Sequence, residues 1–274
     1  MDNDQILLEE FITNHTTDAA RLIEQLKSEQ ISALISKLPI ELSVILLKEM
    51  EEHSALRCIE ILEIELSARI IERLPSVTTS SILRRMNAES RQRILEKIDP
   101  KISASLSQML NYPDNTAGAL MNPQVTLIPN HLSVKEALDK VKKSKELLSP
   151  YVYIIDGDQK LMGVVTLENL IASESKELIT VIMDTEIPRL FAEVEVRKIL
   201  DHPGWIKYHA LPVTDRSGNF LGGLDQGVIR SVDTDKKRKM PRHAILASNA
   251  LGELYRIGLS GLIYSTAERN MDNE

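Results

Sequence analysis

Three carboxylates in one short stretch, Glu193, Glu195 and Asp201, could bind a divalent cation. Mg²⁺ prefers oxygen ligands and is usually held by one or two carboxylates while it keeps several waters. Glu193 and Glu195 are two residues apart, so their side chains share one face if the stretch is extended. The alternative is that these carboxylates are only solvated at the surface. The sequence therefore offers a candidate magnesium site and leaves that alternative open.

Thr166 and Asn169 form a second candidate site with different chemistry. A hydroxyl can contact a phosphate group, and an amide can hydrogen-bond the hydroxyls of a ribose, although more weakly than a carboxylate does. The alternative is structural, because Thr166 could cap a helix that starts after it and leave Asn169 exposed. Both interpretations stay open at this point.

The loop of residues 201–209 contains two histidines and the only tryptophan of the chain. His202 and His209 are weak candidates for a transition-metal site, because no third ligand is evident. Trp205 is interpreted as a hydrophobic plug that covers a sheet. The alternative for Trp205 is a ligand lid or a contact with a partner.

Composition excludes several classes of function. The chain has 274 residues, of which 43% are apolar and 27% charged, and its net charge of −7 argues against a general nucleic-acid-binding surface. Cys58 is the only cysteine, so an internal disulfide and a cysteine-based metal site are excluded. The sequence lacks a phosphate-binding loop, a zinc-protease helix and a nucleophile elbow, and we expect no enzyme.

The sequence predicts no transmembrane segment. No apolar run approaches the roughly 18–20 residues that span a bilayer. The amino terminus is acidic, which is unlike a signal peptide. We therefore expect a cytoplasmic location.

Residues 5–110 have the periodicity of short helices. Residues 37–50 align with residues 73–86 at an offset of 36, and each copy opens with a basic residue, leucine and proline. Pro39 and Pro75 predict helix starts, and Pro100 predicts another. The offset fits three helices of eleven or twelve residues, or a helix pair with linkers, stacked into a small superhelix. The alternative is a plain helical bundle in which the Leu-Pro starts are coincidental.

Charge is uneven within this helical part. Residues 41–72 carry eight acidic and three basic side chains, whereas residues 84–101 carry six basic and three acidic ones. The simpler interpretation is that these are solvated helix faces. The alternative is a pair of complementary surfaces, for a protein partner or for the following domain.

From residue 124 the pattern alternates strand, helix and strand. It predicts strands at 125–128, 151–155 and 161–166, a hairpin turn at 156–158, and a helix over 133–148 with a capping box of Ser133 and Glu136. The following residues repeat this order, with a helix at 194–200, strands at 210–214 and 220–224, and a final helical turn or two at 226–232. Two such units of about sixty residues can bury each other's open sheet faces.

Residues 112–121, Tyr-Pro-Asp-Asn-Thr-Ala-Gly-Ala-Leu-Met, lie where the helical pattern ends, and their proline, asparagine and glycine indicate a domain junction. This decapeptide resembles the join between the helical domain and the first CBS motif of the MgtE-type magnesium transporters. Residues 30–232 are similar to the cytosolic region of that family. The resemblance implies a helical amino-terminal domain, a tandem CBS (Bateman) module that homodimerises, and sensing of intracellular magnesium.

Residues 163–169 resemble the nucleotide signature of CBS motifs. The resemblance implies that Tyr151, Thr166 and Asn169 bind an adenine nucleotide. The second copy departs from the signature, because Asp225 occupies the hydroxyl position and Val228 the ribose position. Asp225 would repel phosphate, so we expect no second nucleotide site of the usual kind.

The carboxyl-terminal part combines a basic run with an apolar segment. Residues 236–239 are expected to form a solvated linker, with a contact to anionic lipid or an acidic partner as the alternative. Residues 242–268 have helix-like spacing, which Glu253 and Arg256 interrupt, so this helix is not expected to span a membrane. We expect it to be buried in a dimer interface, with interfacial membrane contact as the alternative.

The predicted fold class is α+β multidomain. Residues 1–111 form an all-α superhelical domain, 112–180 the junction and first CBS motif, 181–235 a degenerate second CBS motif, and 236–274 a basic linker and carboxyl-terminal helix. The expected function is a regulatory module, not itself a transporter, in which Mg²⁺, an adenine nucleotide or both bias the packing of the helical domain on a CBS dimer.

Two other functions remain open. The first is a CBS-based dimeric scaffold without a small ligand, which the degenerate second copy favours. The second is a regulator that acts in trans on a full-length transporter. Separately, the helical domain is a candidate surface for a protein partner.

Overall fold

The computed structural model describes residues 3–144 and 151–237 of the chain. Two compact units divide between Ser103 and Ala104. The first unit is helical, and the second contains two three-stranded sheets with their helices. The predicted helix over residues 242–268, and Arg238 and Lys239 of the basic run, lie outside the described residues.

The helices of residues 3–110, the last of which crosses the division between the units, recur at a fixed interval. From α2 to α9 each helix begins twelve residues after the one before it, so three helices fill the predicted offset of 36. Helices α2 to α8, with 8 or 10 residues each, are shorter than predicted because each interval also includes the connection. They are α1 Asn3–Asn14, α2 Thr16–Ile23, α3 Ser28–Ile35, α4 Ile40–Glu49, α5 Glu52–Ile61, α6 Ile64–Ile71, α7 Ser76–Arg85, α8 Ala88–Lys97 and α9 Pro100–Leu110.

From α2 to α6, each helix packs mainly against the helix two further along, as α2 does on α4 and α3 on α5. This pattern builds the stacked superhelix. The hydrophobic core of the superhelix follows the same interval, because an apolar residue at the equivalent position of successive helices is buried. The residues at this position are Leu22, Leu34, Leu46, Cys58, Ile70, Ile82 and Ile94. Burial also raises the pKa of the Cys58 thiol to about 12, so Cys58 is a core residue and not a nucleophile.

A recurring polar contact joins consecutive helices. The side chain at the fourth position of a helix donates to a carbonyl eight residues earlier, near the end of the preceding helix. Ser67 Oγ donates to Ile59 O at 2.9 Å, and Ser103 Oγ donates to Leu95 O at 2.9 Å. Such bonds satisfy carbonyls that a helix leaves open at its carboxyl end, and they allow the short helices to turn sharply.

The second unit contains the predicted β-α-β-β-α order twice. The predicted Ser133–Glu136 capping box is present at the start of α11. The last helix extends beyond the predicted 226–232 to Lys237. The elements are α10 Ala117–Leu120, β1 Leu127–Pro129, α11 Val134–Lys143, β2 Tyr151–Ile155, β3 Leu161–Thr166, α12 Leu167–Ala172, α13 Ile179–Ile182, β4 Leu190–Phe191, α14 Val196–Ile199, a 3₁₀ helix Pro203–Ile206, β5 Ala210–Thr214, β6 Phe220–Asp225 and α15 Gln226–Lys237.

The two sheets have the same topology. In the first, β1 is parallel to β2 and β2 is antiparallel to β3, and the second sheet repeats this with β4, β5 and β6. Both antiparallel pairs shift register at equivalent points, between Ile154 and Ile155 and between Val213 and Thr214. The first sheet buries its core against α11 and α12, with Val152, Ile154 and Val165 at its centre.

The segment leading into each copy pairs with the last strand of the other copy. Asn122 pairs with Gly223 of β6, and Asp184 pairs with Val164 of β3, each through two backbone hydrogen bonds of 2.7–3.0 Å. This exchange relates the two copies by an approximate twofold axis. It requires a close backbone approach, because a Cβ on Gly163 would lie 2.6 Å from Asp184 O. The same atom on Gly222 would lie 2.7 Å from Asn122 O.

The two hairpin turns are also equivalent. Asp156 Oδ1 accepts the N–H groups of residues 158 and 160, and Asp215 Oδ1 accepts those of residues 217 and 219. The left-handed residue of the first turn is Gln159, with φ of 64°, and that of the second is Gly218, with φ of 87°. The predicted hairpin is therefore confirmed, and its left-handed residue is Gln159.

Candidate functional site

The ends of β2 and β3 bring together two of the three predicted nucleotide-binding residues. Tyr151 lies opposite Thr166 in the strand register. Thr166 Oγ1 accepts the backbone N–H of Asn169 at 3.0 Å, so it caps α12 as the structural alternative anticipated. The hydroxyl can still donate a hydrogen bond while it accepts this one. Asn169 lies exposed on the first turn of α12.

Tyr151 is connected to the loop that follows the 3₁₀ helix. Its side chain is buried, and its hydroxyl accepts the backbone N–H of His209 at 3.2 Å. The ring of Tyr208 lies 6.3 Å from the Tyr151 ring, centroid to centroid. Two aromatic side chains therefore lie beside the Thr166 end of the sheet, at a distance typical of interacting rings.

Asp184 adds a charge to this group. Its backbone pairs with Val164, two residues before Thr166. Its Oδ2 atom accepts Lys207 Nζ at 2.8 Å and the Tyr208 hydroxyl at 2.7 Å. The hydrogen bond from Lys207 lowers the pKa of Asp184, against partial burial, and the same bond raises the pKa of Lys207. Lys207 Nζ also lies 4.8 Å from the centroid of the Tyr208 ring.

We call this group the first-copy site. Three of its members, Asp184, Lys207 and Tyr208, were not predicted from the sequence, because they are distant along the chain from Thr166. A comparison of the two leading segments could have indicated Asp184, since Met183-Asp184 occupies the place that Met121-Asn122 occupies before the first copy. The site consists of Tyr151, Thr166, Asn169, Asp184, Lys207 and Tyr208.

The equivalent positions of the second copy carry different groups. Asp225 lies opposite Ala210 in the register, and its Oδ1 atom accepts the N–H of Gly227 at 2.6 Å. The side chain of Asn122 is bonded to the backbone of Gln124, at 3.3 Å through Nδ2 and 3.0 Å through Oδ1. At the described positions this copy has Ala210 in place of the Tyr151 ring and Asp225 in place of the Thr166 hydroxyl. The expectation that it binds no nucleotide stays a prediction.

The loop of residues 201–209 has a structural role at its start. Trp205 is buried, and its Nε1 atom donates to Ile199 O at 2.5 Å, which agrees with a plug. His202 Nδ1 accepts the N–H of Gly204 at 3.0 Å and caps the 3₁₀ helix. The loop then supplies Lys207 and Tyr208 to the first-copy site.

The predicted metal-binding carboxylates lie elsewhere in the second unit. Glu193 and Glu195 line an open cleft of about 520 Å³, and Asp201 does not line it. Arg216 Nε lies 4.0 Å from Glu193 Oε1. Among the described residues, no group of three or more histidine, cysteine, aspartate or glutamate side chains is arranged to hold a metal ion. A site with one or two carboxylates and waters is not tested by this finding.

The cleft adjoins the junction decapeptide. Asn115 O accepts the N–H of Val196 at 2.8 Å, and the N–H of Ala117 donates to Val194 O at 2.9 Å. Residues on both sides of Glu193 and Glu195 are thus tied to the junction. Burial, followed by the charges of Glu193 and Asp215, raises the pKa of Tyr112. Gly118 lies under the Tyr112 ring, where a Cβ would approach within 2.5 Å.

Comparisons with known proteins agree with this architecture. A family model described as the MgtE intracellular N domain matches residues 14–115, and one described as the CBS domain matches residues 117–176. The magnesium transporter MgtE of Bacillus subtilis is 28% identical over 47% of this chain and 30% of its own length. The chain therefore matches less than a third of the length of this curated relative.

Two solved structures share the fold. The soluble part of a magnesium transporter superposes with a TM-score of 0.60 at 19% identity, covering 85% of this chain and 98% of that one. The cytosolic domain of the Mg²⁺ channel MgtE in complex with ATP gives a TM-score of 0.57 at 20% identity, covering 83% and 99%. Across the part of the chain that the structure describes, no helix is both long and apolar enough to cross a membrane.

Proposed function

The chain belongs to the family of MgtE cytosolic regions, since it joins an MgtE intracellular N domain to a CBS domain, and on that premise we propose that it is a cytoplasmic regulatory module. In this proposal a small ligand binds the CBS pair and changes how the helical domain packs on it. The ligands are an adenine nucleotide at the first-copy site and Mg²⁺ at the cleft.

The chemistry of the first-copy site supports nucleotide binding. Tyr151 and Tyr208 offer aromatic faces for a base, Thr166 a hydroxyl for phosphate, and Asn169 an exposed amide for ribose. A relative of the same fold is described as a complex with ATP. We propose that this chain binds an adenine nucleotide through the same type of CBS site.

The magnesium part of the proposal involves Glu193, Glu195 and Asp201. Glu193 and Glu195 are exposed at the cleft, where a hydrated cation can reach one or both carboxylates. A bound cation would compete with Arg216 for Glu193. Asp201 is included on sequence grounds and would contribute only through water or a local movement.

A single observation carries the regulatory proposal. The junction decapeptide is hydrogen-bonded to the backbone of residues 192–196, through Ala117 N to Val194 O, Gly118 N to Ala192 O and Val196 N to Asn115 O. Glu193 and Glu195, two of the three carboxylates proposed to bind Mg²⁺, belong to this same segment. A ligand that shifts the segment therefore acts directly on the connection to the helical domain, without a long relay.

Thermal unfolding of the full chain tests the proposal, with Mg²⁺, Ca²⁺, AMP, ADP and ATP as ligands and monovalent salt matched throughout. A ligand at one hundred times its Kd should stabilise the folded form by about 2.7 kcal/mol. We expect Asn169→Ala to abolish the nucleotide shift, whereas Val228→Ala, at the equivalent place in the second copy, should leave it unchanged.

The magnesium shift needs its own controls. It should disappear in Glu193→Gln/Glu195→Gln and persist in Glu174→Gln/Glu186→Gln, which removes the same charge from other exposed positions. Asp201→Asn decides whether the third carboxylate takes part. If no ligand shifts the unfolding temperature beyond the salt control, the sensor proposal fails and the ligand-free scaffold replaces it.

We also propose that the module forms a homodimer through the first copy. Three apolar side chains on or beside α12 and α13 are unusually exposed: Ile171 at 71%, Val181 at 66% and Leu178 at 51%. CBS modules typically dimerise through such a face, so we propose that a second copy of this chain covers it. Sedimentation equilibrium should give a dimer for the unmodified chain and for Ile45→Glu, a less exposed apolar residue of the helical unit, and a monomer for Ile171→Glu/Val181→Glu.

A further inference from the structure

The first-copy site already contains a positive and a negative group that are bonded to each other. Lys207 Nζ and Asp184 Oδ2 are 2.8 Å apart, and their side chains are 66% and 34% exposed. The lysine has a flexible stem and is the more exposed of the two side chains. The aspartate is more buried and is fixed by its backbone pairing with Val164.

This arrangement matters for any ligand that carries phosphate. A phosphate group near Thr166 would be repelled by the Asp184 carboxylate and attracted by the Lys207 ammonium group. The Asp184 carboxylate uses one of the three N–H groups of Lys207 and offsets its charge, so Lys207 attracts a phosphate less strongly while this pair is intact. A ligand without phosphate would leave the pair intact and bind through the aromatic side chains and Asn169.

We propose that Lys207 is the phosphate-binding residue of the first-copy site and that Asp184 is its competing counter-ion. The site's preference among adenosine, AMP and ATP is then set by the exchange of Lys207 between Asp184 and the ligand. This inference rests on the proposed nucleotide function and deepens it. It assigns a role to two residues that the nucleotide signature of residues 163–169 does not include.

The second copy shows which side chain the same fold carries at the position equivalent to Asp184. Asn122 occupies the place of Asp184 there, is neutral, and is bonded to the backbone of Gln124. Asp184→Asn therefore converts one site to the group that the fold already accepts at the other. The amide oxygen can still accept the Tyr208 hydroxyl, so the substitution removes charge with little change of shape.

Calorimetric titration of the full chain with adenosine, AMP and ATP tests the inference. We expect Asp184→Asn to strengthen AMP and ATP binding and Lys207→Met to weaken it, each by about tenfold, as one charge-assisted hydrogen bond would. Adenosine binding should change by less than about twofold in both variants. Lys135→Met, which removes an exposed lysine from α11, should alter none of the three affinities.

The possible outcomes separate this inference from the proposed function. If AMP and ATP bind in an Asn169-dependent manner but neither charge variant alters their affinity relative to adenosine, only the inference is overturned. The same holds if both variants weaken all three ligands equally, because Lys207 and Asp184 would then only shape the site. If the unmodified chain binds none of the ligands, the nucleotide proposal and this inference fall together.

Discussion

The two CBS copies have the same backbone fold but carry different side chains at the position of the candidate site. Each copy has the same strand order, the same register shift, and a leading segment that pairs with the last strand of the other copy. The first copy combines aromatic rings, a hydroxyl and an ion pair at its site. The equivalent residues are Tyr151, Thr166, Asn169 and Asp184 in the first, and Ala210, Asp225, Val228 and Asn122 in the second.

This difference separates the requirements of folding from those of binding. Both copies keep glycine where the leading segment crosses the last strand, because a Cβ would collide with backbone there. Both keep an aspartate that folds the hairpin turn. The side chains that do not serve these contacts have diverged, so the pair can be symmetric in fold and asymmetric in function.

The largest expected effect comes from the shared glycines. Gly163→Ala and Gly222→Ala should each lower the free energy of unfolding by about 3 kcal/mol, since the new methyl would meet fixed backbone oxygens of Asp184 and Asn122. Equal losses in chemical denaturation would confirm that the two crossings are equivalent.

Gly157→Ala is the matched control for these substitutions. No atom lies within 4 Å of a Cβ built at Gly157, so this change should be nearly neutral. A loss at Gly163 without one at Gly222 would contradict the symmetric description and indicate that only one leading segment is tightly held.

A smaller effect, of opposite sign, is expected at Tyr153. Its side chain is fully buried and stacks on Phe220 at 4.7 Å between centroids. Among the residues that the structure describes, no group hydrogen-bonds its hydroxyl. Removal of this unpaired group in Tyr153→Phe should raise the free energy of unfolding by about 1 kcal/mol.

Tyr208→Phe provides the contrast for Tyr153, because the Tyr208 hydroxyl donates to Asp184. That variant should lose stability by about 1 kcal/mol. If both tyrosines respond alike in thermal and chemical denaturation, the structural distinction between a bonded and an unbonded hydroxyl is wrong.

The hairpin turns give a third comparison, of about 1 kcal/mol. Gln159 holds a left-handed conformation that the second copy assigns to Gly218. Gln159→Gly should stabilise the fold by relieving this strain, although the greater freedom of glycine in the unfolded chain reduces the gain. Gly218→Ala should destabilise it. Unfolding curves in which both substitutions destabilise would show that the first turn has adapted to its glutamine.

Much of the fold follows from local patterns in the sequence. The Leu-Pro starts and the offset of 36 indicated the stacked helices, and the capping box and strand alternation placed most of the second unit. The twelve-residue interval was only one of two alternatives for the offset of 36, because its buried position changes among leucine, isoleucine and cysteine. No single residue type marks that position, so identity between copies is low even though burial repeats.

The candidate site was only partly predictable, for a different reason. Thr166 and Asn169 were found because their spacing is a local signature. Asp184 and Tyr208 come near them only through the exchange of leading segments and the loop after the 3₁₀ helix. These long-range contacts depend on how the two copies pair with each other. They cannot be predicted from periodicity along the chain.

The smallest expected effect is a pH dependence of the free energy of unfolding, which the charged Asp184 should cause and the neutral Asn122 should not. The pKa of Asp184 is lowered in the folded chain by Lys207, so its charge stabilises the fold fully at a pH well above the ordinary aspartate value of about 3.9. This contribution is lost as the pH falls from about 4 through the lower pKa of the folded state. It should stay below about 1 kcal/mol, since the pair is partly exposed. The difference in unfolding free energy between the unmodified chain and Asp184→Asn should therefore shrink between about pH 5 and pH 3. A difference that stays constant over this range would mean that the ion pair between Lys207 and Asp184 does not stabilise the folded chain. The presence of this pair in the first-copy site would then not be explained by stability.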